Sequence, residues 1–364
     1  MKVIRPVFVL IIRSILFCFI LPLNVLSAGD SQSEYHKYRG TIGTAAITMN
    51  LTRIDSAIYG DYYFNNIRIP LDIYGKLIDN NHFELEEFDS KNDQTGILTL
   101  NRLTGEMFLG SWKSPNSTKS LPVNLYPLSD SVVKVQFKHF QKEDCAQAEK
   151  NKFNFTEDMS YSDTMCSTFD LVVPQFITSN NPALVLTNHS LLDSLCGCKA
   201  LSEQNAIDQL MGRYFDSGND GPFEFTRYPI MFSNERNYVS ICFSSAENYF
   251  GAHLMYYYQS YNFSSLTGKL ISLNDLFIPG TRAELNRIAE REFVAANGAE
   301  DWFFDPGKFE VNENFRLTPG GIRFDFDPYE IGPFSAGAPS VFIKYSTIFH
   351  LLKKDSPIFG LPPR

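Results

Sequence analysis

The chain has 364 residues, with 44% hydrophobic and 20% charged positions, enough for two domains with proper cores. Its 41 acidic and 32 basic residues leave a net charge of −9, which repels nucleic acid and anionic lipid headgroups. Aromatic content of 14%, with 32 Phe and 18 Tyr, suits β-rich packing.

Residues 1–28 have the pattern of a secretory leader: basic Lys2, Arg5 and Arg13, an apolar run from Ser14 to Leu23, and small residues at Ser27-Ala28. Arg13 and Pro22 interrupt the apolar run and argue against a stable span of about 20 residues, so membrane contact is expected only through an uncleaved leader. Cleavage would move the net charge to −12, because the leader carries three positive charges. The expected compartment is the periplasm or the exterior of a bacterial envelope.

Across residues 34–130 there is almost no helical periodicity. Short alternating runs appear instead: Ile47–Leu51, Ile58–Phe64, Ile67–Ile73, Phe83–Leu85, Ile97–Leu100 and Met107–Trp112, separated by turn residues. They predict a β-meander, as a curved sheet or partial barrel. Pro70 has no N–H, which places the Ile67–Ile73 strand at an edge or a bulge. A domain boundary is expected near 128–134.

Residues 135–355 predict a mixed domain, and the whole chain an α+β fold in which an antiparallel sheet packs on one or two helices. Gln141–Met165 is polar and flanked by cysteines, a disulfide-stapled excursion. Strand is expected from Thr168 to Ile177, and helix from Ser202 to Phe215, where Ile207, Leu210, Met211 and Tyr214 share a face. Met231–Phe243 predicts a hairpin, and Gly251–Phe263 a further strand. Thr281 and Glu284 have capping-box spacing ahead of a helix that buries Leu285, Ile288, Ala289 and Phe293 and stops at Asn297-Gly298. Phe315–Leu317 and Ile322–Phe326 predict a second hairpin. There Ile322, Phe324 and Phe326 face the core while Arg323, Asp325 and Asp327 face water.

Six cysteines are present, with Cys18 in the leader. An oxidising compartment makes disulfides the default for the others. Cys145 with Cys166 is the local pair, and Cys242 is a partner for Cys196 or Cys198, leaving one thiol over. Cys196-Gly197-Cys198 is spaced more tightly than paired zinc cysteines, and the six His form no compact pair, so neither metal nor cofactor is expected. No nucleophile elbow or phosphate loop occurs.

Candidate binding residues are His253, after Gly251-Ala252, and Asp327, Tyr329 and Glu330, held between Pro328 and Pro333 on a rigid turn. Asp325, Asp327 and Glu330 are also the candidates for a glycosidase-like acid and base. Solvated strand carboxylates and a structural histidine are the plainer reading. The run Tyr256–Tyr258, with Tyr261 and Phe263, is either core or a sugar-stacking platform.

From about Tyr238 to Phe349 the chain resembles a C-terminal domain shared by RsiV-type lysozyme-sensing anti-sigma factors, the non-catalytic part of PdaC-type peptidoglycan deacetylases, and MPT-type mycobacterial secreted antigens. The matching residues are Val239–Phe243, Gly251-Ala252-His253, Thr267-Gly268-Lys269, Leu273–Phe277, Phe326–Ile331 and Ala336-Gly337. Leu254 stands where relatives often have Pro. The resemblance implies a non-enzymatic envelope protein that binds a lysozyme-like partner or peptidoglycan. The deacetylase signature, an Asp-Asp pair with paired His, is absent. An anti-sigma role is not expected, because it needs a cytoplasmic segment ahead of the apolar run. Two other classes stand beside binding: an enzyme acting on cell-wall glycan, and an assembly module offering an edge strand of the meander.

Overall fold

The computed structural model describes residues 33–115, 118–128, 133–147, 164–178, 181–199, 201–215, 222–235, 237–297 and 309–360. The leader, the excursion at 148–163 and the helix stop at Gly298 lie outside the described residues.

Eight antiparallel strands form a closed barrel: β1 (Ser33–Ile42), β2 (Ala45–Ile54), β3 (Ala57–Phe64), β4 (Leu71–Leu77), β5 (His82–Phe88), β6 (Gln94–Arg102), β7 (Phe108–Lys113) and β8 (Ser120–Pro127). The meander expected from the alternating runs is present and goes further, because β1 pairs with β8 from Tyr38↔Pro127 to Ile42↔Val123. Closure leaves this region no free edge strand to offer an assembly partner. The stretch from Ile67 to Pro70 is connection rather than strand. Ile67 N–H donates to Phe64 O, Arg68 takes φ 61°, and pairing resumes only after Pro70. Side chains fill the interior, among them Tyr38, Met49, Leu85, Leu100 and Phe108. Buried Glu87 accepts hydrogen bonds from Tyr62 Oη, from Trp112 Nε1 at 2.7 Å and from Thr95 Oγ1 at 2.6 Å. Those bonds satisfy a carboxylate that burial would otherwise penalise.

A five-stranded sheet follows, in the order β13-β12-β11-β10-β9. β9 (Val135–Gln147) and β10 (Thr164–Phe176) form a hairpin that extends well into the region expected to be an excursion. The helices α1 (Pro182–Cys196) and α2 (Glu203–Phe215) cross over to β11 (Glu224–Asn234), which is parallel to β10. β12 (Tyr238–Asn248) and β13 (Met255–Ser264) complete it antiparallel. α1 was not expected. Its ends are well marked: Asn181 Oδ1 accepts from Ala183 N at 3.0 Å, Pro182 opens the first turn, and Gly197 ends the helix left-handed. Val185 and Leu186 are exposed, and these apolar residues on the outer face blur the helical period.

The last unit carries α3 (Leu273–Leu276), α4 (Arg282–Asn297), the sheet β14 (Phe315–Leu317), β15 (Gly321–Asp325), β16 (Ser340–Lys344), and α5 (Tyr345–Ile348). Leu285, Ile288, Ala289 and Phe293 of α4 pack on Leu317, Ile322, Phe324 and Ile343. The capping box lies earlier than expected, at Ser272 and Asp275 of α3. Thr281 Oγ1 instead donates to Ile278 O, and Glu284 meets His350 at 3.1 Å.

The other face of this three-stranded sheet is not wet. Arg316 is 1% exposed and Asp325 6%. The barrel covers them: Arg323 Nη1 donates to Asp72 Oδ2 at 2.6 Å, and Arg316 lies 3.6 Å from Asp72 and 4.0 Å from Asp61. A second buried tie joins Lys37 Nζ to Asn234 O at 2.8 Å and Glu235 Oε1 at 2.7 Å. Three buried carboxylates and two guanidiniums therefore weld the barrel to the C-terminal unit.

Candidate functional site

The four proposed binding residues meet where the β12–β13 loop faces the turn after β15. In the loop, Asn248 Oδ1 accepts from Phe250 N at 2.9 Å, and Phe250 takes φ 54°. Opposite, Glu330 N–H donates to Asp327 O at 3.0 Å and closes a turn in which Tyr329 takes φ 73°. Left-handed backbone at two large aromatic residues is uncommon, and such strain collects at ligand-binding and switch regions.

Both carboxylates are committed to holding this turn. Glu330 Oε2 accepts from Asp327 N at 2.9 Å, and Oε1 from Asn312 Nδ2 at 2.9 Å. Asp327 Oδ1 accepts from Tyr258 N at 3.2 Å, and Asn314 Oδ1 from Ser260 N at 2.8 Å. These two side chains thereby cap the outer edge of β13, whose N–H groups would otherwise be unpaired. Burial pushes the Asp327 carboxyl up to about 6, against the pull of the Tyr258 N–H. Asp325 belongs to the barrel interface, where its Oδ1 accepts from Arg323 Nε at 3.0 Å. Each of the three carboxylates is thus engaged in a structural hydrogen bond: Asp325 at the barrel interface, Asp327 at the edge of β13 and Glu330 within the turn.

The aromatic side chains stay at the surface. His253 stacks on Phe334, centroids 3.9 Å apart and planes at 19°, and its Nε2 is hydrogen-bonded to Tyr329 Oη at 3.2 Å. Phe334 also meets Tyr329 at 5.6 Å and Tyr256 at 6.0 Å. Gly337, at φ 73°, lets Tyr256 approach, since a Cβ there would lie 3.3 Å from its Oη. Tyr329 is 50% exposed, and Tyr249 and Phe250 in the facing loop are each 46% exposed. The result is a rigid aromatic surface with adaptable hydrogen-bonding tips. The sequence reading named His253, Tyr329, Asp327 and Glu330 but missed Phe334, Phe250 and the edge-capping Asn314.

Cys145 and Cys166 stand directly opposite each other on β9 and β10 and are joined as a disulfide. Cys196, Cys198 and Cys242 are free thiols. The expected link from Cys242 to Cys196 or Cys198 does not form, and strand alternation explains why. Ile241 and Phe243 of β12 face the core that holds Cys196, whereas Cys242 points to the opposite face, beside Ile230 and Met231. Among the described residues, two groups place three metal-ligand atoms within 4.8 Å. In one, two atoms are the disulfide sulfurs. In the other, Arg102 bonds both carboxylates, Glu34 at 2.7 Å and Glu106 at 2.6 Å. Neither donor set suits a cation.

Residues 274–346 match a family described as a protein of unknown function, DUF3298. The match runs from α3 to α5 and includes Arg316, Arg323, Asp327, Tyr329 and Glu330. A DUF3298 family member from Bacteroides fragilis has a similar solved structure, with TM-score 0.51 and 15% identity over 64% of this chain and 98% of that one. A DUF3298 family protein from Pseudomonas aeruginosa gives TM-score 0.45 and 19% identity over 63% and 98%. At such identities the first likeness speaks to the fold alone. No curated protein matches.

Proposed function

We propose that this is an exported cell-envelope protein that acts by binding, and that its recognition surface is the aromatic face of His253, Tyr256, Tyr329 and Phe334 with the β12–β13 loop. One observation carries the reading: His253 and Tyr329 are exposed, beside half-buried Tyr256 and Phe334, on a strained, hydrogen-bonded framework, while Asp327 and Glu330 are occupied in holding that framework. Surfaces of this kind bind through rigid aromatic anchors. The acidic charge of the chain favours a basic protein partner, with lysozyme as the probe suggested by the resemblance to lysozyme-sensing domains. The leader pattern of residues 1–28 supports export.

Binding of the chain from Gly29 to a basic lysozyme and to purified peptidoglycan, in parallel and at low and moderate salt, tests this. Lysozyme binding that survives moderate salt supports a shaped interface. Binding that vanishes with salt is charge attraction alone. A second reading, glycan stacking on the same rings, rests on the half-exposed Tyr329 beside the His253–Phe334 stack. It predicts peptidoglycan binding without lysozyme binding.

A further inference from the structure

We propose that Cys196 and Cys198 form a dithiol–disulfide exchange site, with Cys198 as the attacking sulfur and Cys196 as the resolving one. The site is built by the end of α1. Gly197 takes φ 60°, ψ 29°, and both it and Cys198 donate their N–H groups to Asp193 O, at 3.2 Å for Cys198. The turn folds Cys198 back over the helix end, and Cys196 Sγ sits 3.4 Å from Cys198 O. The Cys196 thiol also reaches Asp193 O at 3.7 Å. On the outside of the turn the exposed Arg213 of α2 lies near Gly197: a Cβ added there would be 3.7 Å from its Nη1.

The two sulfurs differ in the way exchange requires. Cys198 is partly exposed, and Cys196 is 2% exposed in the core under α1 and α2. Burial raises the Cys196 thiol, which fits a group that acts second. A disulfide across one intervening residue costs little closure entropy, but its tight ring is strained and easily reduced. It therefore suits cycling, whereas Cys145–Cys166 is a cross-strand staple.

The substrate class is a disulfide, either a small one or one on a protein. The Cys198 thiolate attacks one sulfur of RS–SR; the S–S bond breaks and the first RS⁻ leaves, taking the proton Cys198 released. Cys196 then loses its proton and attacks Cys198 Sγ, and the second RS⁻ leaves with that proton. Two protein thiols and one disulfide become one internal disulfide and two RSH.

Oxidised glutathione, added to the purified protein with these thiols reduced and followed by peptide mapping, tests the site. The wild-type peptide spanning both cysteines should lose two hydrogens in mass and retain no glutathione. Cys196→Ser should trap glutathione on Cys198, and Cys198→Ser should slow reaction at this peptide by at least about tenfold. Cys242, buried on the other sheet face with its thiol pushed up to about 12, should stay unmodified throughout. Wild-type protein that keeps both thiols free in excess oxidised glutathione would overturn the assignment. So would glutathione stably retained on either wild-type cysteine. The wild-type map needs no variant, so a misfolded substitution does not obscure the answer.

Discussion

Arg323 Nη1 donates to Asp72 Oδ2 at 2.6 Å, joining β15 to β4 across 251 positions of sequence. Behind this bond sits Arg316, with Asp72 at 3.6 Å and Asp61 at 4.0 Å. Asp72→Ala removes the carboxylate that both guanidiniums share. Losing one partner of a buried ion group costs about 3–5 kcal/mol, because charge is left unpaired in low dielectric. Chemical denaturation should show that loss. Combining Asp72→Ala with Arg316→Met should cost less than the two single losses together.

The same network holds one carboxylate more than it has guanidiniums, and Asp61 is where the imbalance shows. Burial raises its carboxyl from an ordinary 3.8 to about 6, against the pull of Arg316 and Asn50; Asp72 adds repulsion and Lys37 attraction. The folded chain therefore holds this proton more tightly than the unfolded chain. The stability it contributes is fully present below pH 3.8 and is lost as pH rises through about 6. Asp61→Asn keeps the neutral form at every pH. Between pH 4 and pH 8 the wild type should lose about 2.5 kcal/mol relative to that variant, measured by urea midpoints at each pH.

Inside the barrel, Gly96 allows Trp112 to reach Glu87. A Cβ at this position would lie 2.1 Å from Trp112 Nε1 and 2.9 Å from Glu87 Oε2. Gly96→Ala should displace the indole, leave Glu87 short of a donor, and cost roughly 2–4 kcal/mol. Trp112 fluorescence should shift with it.

The turn that carries Tyr329 depends on Glu330. Both its oxygens accept hydrogen bonds, so Glu330→Gln sets an amide donor against the Asp327 N–H or the Asn312 amide. About 1–2 kcal/mol of stability should be lost, with the fold retained. An enzyme using Glu330 as acid or base would instead lose turnover on glycan with stability unchanged.

How much was legible follows from the range of each interaction. The barrel strands could be read because inward residues such as Ile47, Met49 and Leu51 alternate locally. Closure could not, since the β1–β8 register joins residues about 85 apart and leaves no local mark. The Ile67–Ile73 alternation looked like the cleanest strand, yet Pro70 and the left-handed Arg68 defer pairing to Leu71. The Arg323 and Asp325 alternation was real, but its outer face was assigned to water because its cover, Asp61 and Asp72, lies far back in the chain. The site turn was legible through its prolines and the Gly251-Ala252-His253 segment. Phe334 was not, because a ring two residues after Ile331-Gly332 and beyond Pro333 has no periodic pattern to place it.

The most direct test of the binding account compares the chain from Gly29 with its His253→Ala/Tyr329→Ala double variant, titrated against basic lysozyme at moderate salt. These side chains are exposed, so stability should change by less than about 1 kcal/mol. The account predicts saturable binding by the wild type and at least about a tenfold weaker affinity for the variant, as expected when an aromatic anchor is removed. Equal affinities for the two proteins, or no wild-type binding to lysozyme or to peptidoglycan in the parallel arm, would contradict it.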